Sequence, residues 1–430
     1  MAYLRYIKDF DPALLKRPDQ DIKEIEAAVD GILDDVRENG DRALRYYSER
    51  FDGSVLDDLF VPEDEIESSG EKIPSGLKKA IDEAHRNIEA FHKAEMPVGE
   101  RLETAPGVMC WRRIVPIEKV GLYIPGGTAP LFSTVLMLAT PASIAGCRDI
   151  MLATPAKNGI VNPAVLYAAR IAGVSRILRV GGAQAIAAFA YGTESVPKRD
   201  KIFGPGNRFV SAAKMKVSSS VSIDMLAGPS EVMVIADRTS NPLFVAADLL
   251  SQAEHGKDSQ VILYIKSRSE AEAVEIYERI EAMLELEIEK LGRHEYMLPS
   301  LSHSLAFSFR DDKSLIDAVN LYAPEHLIIS TENADGILEG VMNAGSVFLG
   351  GYSPESAGDY ASGTNHTLPT SGWARSSSGV SVDSFIKKMT VQRITKDGIR
   401  KLAPVIMELA DAEGLTAHKE AAEVRINEGN

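Results

Sequence analysis

Four short polar segments of this 430-residue chain each carry a histidine together with a carboxylate or an amide. They contain Gln252 and His255, Glu325 and His326, Asp359 and His366, and Glu413 and His418. Imidazole, carboxylate and amide oxygen are ligands that suit a divalent ion such as zinc. The adjacent Glu325 and His326 are also an acid and a base of the kind that proton transfer requires. A metal-assisted enzyme is therefore the first hypothesis.

Two of these segments also have ordinary structural interpretations. Gln252 and His255 are three residues apart at the end of an apolar helix, so they would share a face and could reach one ion. A polar helix end exposed to solvent is the alternative. Asp359 and His366 lie in a loop rich in glycine and small polar residues, a kind of loop that either covers a surface or carries catalytic groups. Asp359 is a candidate ligand, and His366 a candidate substrate contact or a hydrogen-bonding partner within the loop.

The other two segments leave similar alternatives open. Glu325 and His326 enter a strand, where neighbouring side chains point to opposite sides, so we expect them to serve distinct steps. A strand-entry pair on the surface is the alternative. Glu413 and His418 flank the junction of two terminal helices, where a lone histidine is commonly solvated. Spacing alone does not connect them to the other segments.

Three glycine-rich turns that follow strand-like segments are typical of ligand sites in α/β proteins. They are Tyr123–Gly127, Gly181–Gln184 and Gly204–Asn207. Glycines there allow a ligand to approach closely, and helix N-termini attract phosphate. Tyr123, Gln184 and Asn207 could each reach such a ligand, although glycines can also serve tight turns alone. The chain has neither a G-x-G-x-x-G motif nor a Walker loop, so the local motifs do not by themselves indicate NAD.

Short apolar strands alternate with helices through the middle of the chain. The predicted strands are Val120–Ile124, Asp149–Ala153, Arg176–Val180, Lys201–Phe203, Val232–Ala236, Val261–Ile265, Leu327–Ser330 and Ser346–Leu349, preceded by a strand-like Gly107–Val115. This alternation predicts an α/β chain with largely parallel sheets, and its length suggests two such units. Helices are predicted over residues 21–50, with a left-handed end at Asn39-Gly40, and over Ser75–Lys93.

The two ends of the chain differ from this pattern. The first twenty residues are polar and contain two prolines, so we expect an arm. The last segment is predicted to form two helices, Asp397–Ala412 and Thr416–Asn427, without an accompanying strand. We therefore interpret it as a helical appendage or an oligomerisation arm.

Bulk properties limit the possible partners and compartments. A net charge of -15 argues against nucleic acid and anionic membrane, because both require a basic surface. The apolar runs are too short to span a bilayer, and the N-terminus lacks the apolar region of a signal peptide. Cys110 and Cys147 do not make a disulfide framework, and each is expected to be a buried, inert thiol. The cytoplasm is the expected location.

Nine longer motifs together resemble the histidinol dehydrogenase family from about residue 20 to the C-terminus. They are Val120–Gly127, Val180–Ala187, Phe203–Asn207, Ala227–Val232, Leu249–His255, Ala323–Leu327, Gly363–Thr370, Ser381–Lys387 and Glu413–His418. Several are long and unusual, so the resemblance is more specific than any single motif. The missing G-x-G-x-x-G is a trait of that family.

The resemblance implies a role for each candidate residue. Its zinc ligands correspond to Gln252, His255, Asp359 and His418, and its acid/base pair to Glu325 and His326. Its substrate contacts correspond to Ser230, Gln252, His255, His326, Asp359, Glu413 and His418, with His366 nearby. Its NAD contacts correspond to Tyr123, Gln184 and Asn207.

The resemblance also implies an α/β fold of two incomplete Rossmann-like domains with parallel sheets, plus an N-terminal arm and a helical C-terminal arm that intertwine in a homodimer. The expected limits are residues 1–22 for the N-terminal arm, 23–122 and 231–376 for the first domain, 123–230 for the NAD-binding second domain, and 377–430 for the C-terminal dimerisation arm. Glu413 and His418 would then come from the partner subunit.

The implied reaction is the four-electron oxidation of L-histidinol to L-histidine through the aldehyde, with one zinc ion per subunit and two molecules of NAD+. His326 would take the proton of the alcohol, and Glu325 would activate the water that adds to the aldehyde. Three rivals remain at this point: a related zinc- and NAD-dependent dehydrogenase acting on another small alcohol, a zinc hydrolase, and a metal-binding scaffold without enzymatic activity.

Overall fold

The computed structural model describes residues 3–18, 23–126, 130–225 and 228–427, so Gly127 of the first glycine turn lies outside the described residues. The strands are β1 (Arg5–Ile7), β2 (Arg101–Ala105), β3 (Val108–Pro116), β4 (Lys119–Tyr123), β5 (Asp149–Ala153), β6 (Arg176–Leu178), β7 (Lys201–Phe203), β8 (Ser222–Ile223), β9 (Glu231–Ala236), β10 (Gln260–Lys266), β11 (Leu305–Phe309), β12 (His326–Ser330), β13 (Ser346–Leu349) and β14 (Ile386–Ile394).

The helices connect and cover these strands. They are α1 (Lys23–Asp52), α2 (Glu63–Glu67), α3 (Ser75–Ala94), α4 (Phe132–Ala145), α5 (Pro163–Ile171), α6 (Gly182–Tyr191), α7 (Arg208–Val217), α8 (Pro242–Ala253), α9 (Glu270–Lys290), α10 (His294–Ser302), α11 (Asp312–Tyr322), α12 (Ala334–Leu338), α13 (Glu355–Tyr360), α14 (Lys396–Ala412) and α15 (Thr416–Asn427). None of these described helices is long and apolar enough to cross a bilayer.

One sheet has six parallel strands in the order β1-β11-β10-β9-β12-β13. Successive residues of β9 alternate between two cores. Val232 and Val234 pack with residues of α8, α9 and α10, whereas Met233 and Ile235 pack with residues of α11. Every residue of β9 is buried, as expected for a parallel sheet that has helices on both faces.

The other parallel sheet has five strands in the order β6-β5-β4-β7-β8. Residues of α3, α4 and α5 pack on one face, and residues of α1, α6 and α7 pack on the other. Each parallel sheet is thus covered by helices on two faces. The predicted fold class, two incomplete Rossmann-like units with parallel sheets, is confirmed.

The predicted domain limits remain a prediction, but the packing around the five-stranded sheet bears on them. Helices α1 and α3 fall within residues 23–122, which were expected to belong with the six-stranded sheet. Val29 of α1 and Ile88 of α3 are fully buried in the two cores of the five-stranded sheet. Strand β1, within the expected N-terminal arm, pairs with β11 at the edge of the six-stranded sheet.

The C-terminal segment corrects one expectation. We expected no strand there, yet β14 runs antiparallel to β3 over nine residue pairs in a three-stranded sheet, in the order β14-β3-β2. Most of its side chains are exposed, so its sequence shows no alternation of apolar and polar residues. Its pairing is decided by β3, more than 250 residues earlier in the chain. The two predicted terminal helices do follow β14.

Most of the other predicted elements are present, with small differences at their ends. The expected left-handed end at Gly40 does have a positive φ of 50°, but the helix resumes after it and continues to Asp52. Asp359, expected in a loop, lies on the short helix α13. Both cysteines are free and half-buried, and burial raises the pKa of the Cys147 thiol to about 12.

Candidate active site

A cavity of about 350 Å³ lies between the two parallel sheets and collects most of the residues singled out from the sequence. Those in its wall are Asn207, Ser230, Gln252, His255, Glu325, His326, Asp359 and His366. The five-stranded sheet contributes the carboxyl end of β7, through residues 205–207. The six-stranded sheet contributes the amino ends of β9 and β12, because Ser230 immediately precedes β9 and His326 begins β12.

His326 is 4% exposed, and its two ring nitrogens have different surroundings. Nδ1 lies 3.2 Å from the backbone carbonyl oxygen of Glu231. A carbonyl oxygen only accepts, so we assign a proton to Nδ1. Nε2 has no hydrogen-bond partner among the described residues. A carboxylate oxygen of Asp359 lies 3.6 Å from it, close enough for an ion pair but not for a hydrogen bond. Nε2 is therefore the nitrogen available to exchange a proton with a bound molecule.

Glu325 is held by the backbone of β9. Its Oε2 accepts a hydrogen bond from the backbone N–H of Glu231 at 2.8 Å. The side chain of Glu231 is in turn held by Arg17, whose Nε and Nη2 donate to its two oxygens at 2.5 and 2.9 Å. Such a forked pair fixes orientation as well as charge. The N-terminal segment thereby positions the acid/base residues, a role that no sequence motif indicated.

Glu325 and His326 do not point apart as the strand pattern led us to expect. Both line the cavity, and Glu325 Oε2 lies 3.7 Å from Nδ1 of His326. The physical reason is that β12 begins at His326, so Glu325 still belongs to the preceding turn. The alternation of side chains applies only within a strand.

The buried charges of the cavity shift several pKa values. Burial raises the pKa of Glu325 to about 8, and only part of this shift is offset by His326 and by the N–H of Glu231. Burial alone would lower the pKa of His326, but the carboxylates of Glu355, Glu325 and Asp359 outweigh it and raise the value to about 10. These carboxylates therefore favour a protonated His326 at neutral pH.

Gln252 and His255 reach the cavity from the end of α8. The helix begins at a cap in which the Asn241 side chain accepts from the N–H of Leu243, and it ends at Ala253. Gln252 is 1% exposed, and neither its Oε1 nor its Nε2 has a hydrogen-bond partner among the described residues. His255 lies in the turn after the helix, at the exposed side of the cavity. A buried amide without hydrogen-bond partners is unfavourable unless a ligand supplies those partners.

Asp359 and His366 are connected through the backbone. Nδ1 of His366 donates to the carbonyl oxygen of Asp359 at 2.8 Å, so Nε2 can accept from the hydroxyl of Thr134, 3.1 Å away. Burial lowers the pKa of His366, which favours the neutral ring. For Asp359, burial is outweighed by its contact with His326 and by the nearby histidines, and its pKa is lowered.

Glu355 is a buried acid that the sequence analysis missed. It is 1% exposed, its Oε1 lies 3.7 Å from Nδ1 of His326, and neither of its oxygens has a hydrogen-bond partner among the described residues. Burial raises its pKa well above the usual value. Ligand atoms of His326, Glu355 and Asp359 lie within 4.8 Å of one another, a geometry that could hold a metal ion. The four-residue spacing of Glu355 and Asp359 on one helix was the available signal.

Four predicted site residues are not in the wall of this cavity. Tyr123 is buried at the end of β4; its hydroxyl accepts from the N–H of Gly182 at 3.1 Å, and burial raises its pKa to about 12. Gln184 is 1% exposed, and its Oε1 has no partner among the described residues. Glu413 and His418 are exposed near the junction of α14 and α15. Within one chain, the structure does not bring these last two residues to the others.

Comparison with known proteins identifies the family. The family described as histidinol dehydrogenase matches residues 15–426. The chain belongs to the histidinol dehydrogenase family. It is 55% identical over 416 residues to the histidinol dehydrogenase of Bacteroides thetaiotaomicron, covering 96% of each chain. It is 51% identical to the chloroplastic histidinol dehydrogenase of Arabidopsis thaliana, covering 97% of this chain and 89% of that one.

A solved structure of the family has the same fold. The crystal structure of histidinol dehydrogenase from Elizabethkingia anophelis superposes with a TM-score of 0.96 at 46% identity, over 100% of this chain and 99% of that one. The resemblance inferred from the motifs is thus confirmed, and the chain is an oxidoreductase of histidine biosynthesis. The hydrolase and the non-enzymatic scaffold are excluded as alternatives by this similarity over nearly the whole chain.

Proposed function

We propose that the protein catalyses the zinc- and NAD-dependent oxidation of L-histidinol to L-histidine through the aldehyde, a four-electron reaction. The observation that carries the proposal is the shared cavity. It combines a buried amide without partners at Gln252, the nearby His255 and Asp359, and the acid/base pair Glu325 and His326. These are donors that suit zinc, next to groups that suit proton transfer.

The donor set fits a zinc ion. Gln252, His255 and Asp359 would hold it from this chain, and His418 would complete the set from a partner subunit. The amide of Gln252 supports this, because it is buried without a hydrogen-bond partner. When bound, zinc would supply a positive charge that orients the substrate, with templating as its main role. His326, Glu355 and Asp359 form an alternative cluster, but its use would remove His326 from proton transfer.

The residues predicted to contact NAD fit a nucleotide less directly than the donor set fits zinc. Asn207 lies in the cavity wall, and its Oδ1 caps α7 by accepting from the N–H of Phe209 at 3.0 Å. Gln184 offers a buried amide oxygen without a partner near the N-terminus of α6. Tyr123 contacts that same N-terminus. NAD+ would supply the acceptor for each hydride, and we propose these three residues as its contacts.

His326 and Glu325 divide the proton transfers. Nε2 of His326 takes the proton of the substrate hydroxyl in both oxidations. This role requires the neutral ring, so the negative charge around His326 must be offset when the site is loaded. Glu325 keeps one carboxylate oxygen free of the Glu231 contact and takes a proton from the water that adds to the aldehyde. With a pKa of about 8, this carboxyl is mostly protonated at neutral pH, so it must release that proton before it acts as the base for water.

Ser230, Asp359 and His366 would orient the substrate in the cavity. His366 is fixed as a neutral ring by the Asp359 carbonyl and the Thr134 hydroxyl, so it contributes polarity without charge. Holding the aldehyde between the two steps raises the rate of the second, because the reacting groups stay in place.

We further propose a cytoplasmic homodimer in which Glu413 and His418 reach the partner's cavity. Both residues are exposed on the α14–α15 hairpin. The hairpin also exposes large apolar side chains, among them Val405 at 54%, Leu409 at 61% and Val424 at 49%. An apolar surface of this kind is typical of a protein contact.

The test is the ratio of NADH formed to L-histidinol consumed, measured before and after zinc is removed and restored. Two NADH per substrate, lost with the metal and regained with it, is the expected result. One NADH, or turnover only with another alcohol, would favour the related dehydrogenase.

Single variants then separate the two proton transfers. His326→Asn should abolish both oxidations, whereas Glu325→Gln should chiefly slow the oxidation of supplied aldehyde. Glu254→Gln, an exposed neighbour of His255 outside the cavity wall, is the control and should keep full activity. Equal loss of both steps in Glu325→Gln would contradict the division of roles.

A further inference from the structure

The six-stranded sheet has a second cavity, of about 240 Å³, at its other end. It lies where the carboxyl ends of three strands meet. Asp237 and Arg238 follow β9, Ser267 follows β10, and Thr331 follows β12. Because β9 has six residues, the two cavities are roughly 20 Å apart. None of these residues belongs to the candidate active site.

The position of this cavity is one at which open α/β sheets bind ligands. From β9 the chain adds β10 and β11 on one side, then crosses back to add β12 and β13 on the other. The neighbouring strands β9 and β12 therefore lead to connections on opposite faces, which leaves a crevice between their carboxyl ends. The candidate active site uses the amino ends of the same two strands. The crevice at the carboxyl ends is left for a different molecule.

The four acidic side chains in the wall of the crevice all have partners, and Glu272 accepts from the backbone N–H of Arg268 at 2.6 Å. Glu332 pairs with Arg238 at 3.2 Å, and Asp312 pairs with Lys266 at 2.6 Å. Asp237 accepts from two backbone N–H groups, at 2.8 and 2.9 Å. These carboxylates are therefore engaged, and their repulsion of an incoming anion is reduced.

Arg268 and two hydroxyls are among the donors in the wall that have no partner in the described part of the chain. Arg268 is exposed, and among the described residues its guanidinium has no acidic partner; only its backbone N–H donates to Glu272, at 2.6 Å. Ser267 is 4% exposed, and its hydroxyl has no hydrogen bond to any described residue. The hydroxyl oxygen of Thr331 is also buried without a partner. A buried hydroxyl without a partner, as at Thr331, favours a ligand that completes its hydrogen bonds.

We propose that this crevice binds a small metabolite through an oxyanion, either a phosphate monoester or a carboxylate. Arg268 supplies the charge and a planar pair of donors, and Ser267 and Thr331 supply hydroxyl donors. The turn after β9, residues 237–241, contains no glycine, so the backbone does not offer the close approach that a dinucleotide pyrophosphate needs. A single oxyanion is therefore the better fit, and this site does not rest on the proposed function.

The test is titration calorimetry with three probes: inorganic phosphate, glycerol 3-phosphate and succinate. None contains the imidazole of L-histidinol or the nicotinamide of NAD+, and excess NAD+ in a parallel titration occupies any phosphate site of the cofactor. Binding of the two phosphates without succinate would assign a phosphate monoester, and binding of succinate alone would assign a carboxylate. We expect a Kd of about 1 mM or lower, so a probe at about 10 mM should nearly saturate the site. No heat of binding from any probe at that concentration would overturn the proposal.

Variants show whether binding is local. Arg268→Ala should weaken the bound probe at least about tenfold, and Thr331→Val should weaken it several-fold. Arg310→Ala removes the same charge from an exposed residue outside the wall and should leave the affinity unchanged. Equal weakening by Arg268→Ala and Arg310→Ala would mean general charge attraction and would refute a site. The affinity should persist in His326→Asn, which separates this proposal from the proposed function.

Discussion

The buried ion pair between Lys214 and Asp224 holds the turn that carries Asn207. Lys214 and Asp224 side chains are 3% and 1% exposed. Nζ of Lys214 also donates to the carbonyl oxygen of Gly204 at 2.9 Å, and Asp224 accepts from the N–H of Gly204 at 2.7 Å. The pair thus holds both backbone polar groups of the first residue of the turn.

Lys214→Met should therefore reduce the free energy of unfolding by about 3–5 kcal/mol, because it leaves the carboxylate of Asp224 buried without its counter-charge. Asp224→Asn leaves a buried ammonium and should cost a similar amount. The double variant removes both charges, and asparagine can still accept from the N–H of Gly204. Its cost should be about 1–2 kcal/mol, well below the sum of the single variants.

Urea unfolding followed by circular dichroism measures these values, and the KM for NAD+ reports the position of Asn207. We expect Lys214→Met to raise that KM more than it lowers kcat. Lys216→Met is the matched control, since Lys216 pairs with Asp30 at the surface, at 2.8 Å, and should have little effect. A loss below about 1 kcal/mol in Lys214→Met, or a double variant whose cost equals the sum, would refute this reasoning.

Three more predictions follow from the structure. Gly204→Ala should unfold the turn, because φ is +120° and the new Cβ would lie 2.0 Å from a backbone oxygen. Gly53→Ala is the control, since Gly53 has φ +63° and no atom within 4 Å of the new Cβ. Urea unfolding should show a cost of only about 1 kcal/mol for this control. Burial raises the pKa of Asp248 to about 7, so the folded state keeps a proton that the unfolded chain releases near pH 4. The free energy of unfolding therefore falls as pH rises from about 4 to about 7. Asp248→Asn should therefore stabilise by up to about 4 kcal/mol at pH 8 and by little at pH 4, and an equal effect at both would contradict burial as the cause. Equal amounts of the inactive variants His326→Asn and His418→Asn can be mixed and allowed to exchange subunits. If His418 acts across a dimer, one site of each mixed dimer is intact, so about a quarter of wild-type activity should return. If His418 acts within its own chain, no activity should return.

The sequence by itself determined the elements whose signals are local. The buried strands of the parallel sheets are short runs of apolar residues between helices, and β5, β7 and β13 have the predicted bounds. The polar motifs also identified the candidate chemistry, because amide, imidazole and carboxylate are recognisable by type. Eight of the predicted site residues line one cavity.

Only the tertiary structure decided which distant residues meet. β14 carries no alternation of its own and is a strand because β3 pairs with it. Arg17 pairs with Glu231, whose N–H holds Glu325, and Glu355 lies beside His326. Each of these contacts joins residues more than 25 positions apart, which no spacing in the sequence encodes. The pKa values of Glu325 and His326 are also decided by the tertiary structure, because they depend on the neighbouring charges and on the exclusion of water. Residue type sets what a group can do, and the packing sets its charge and its partners.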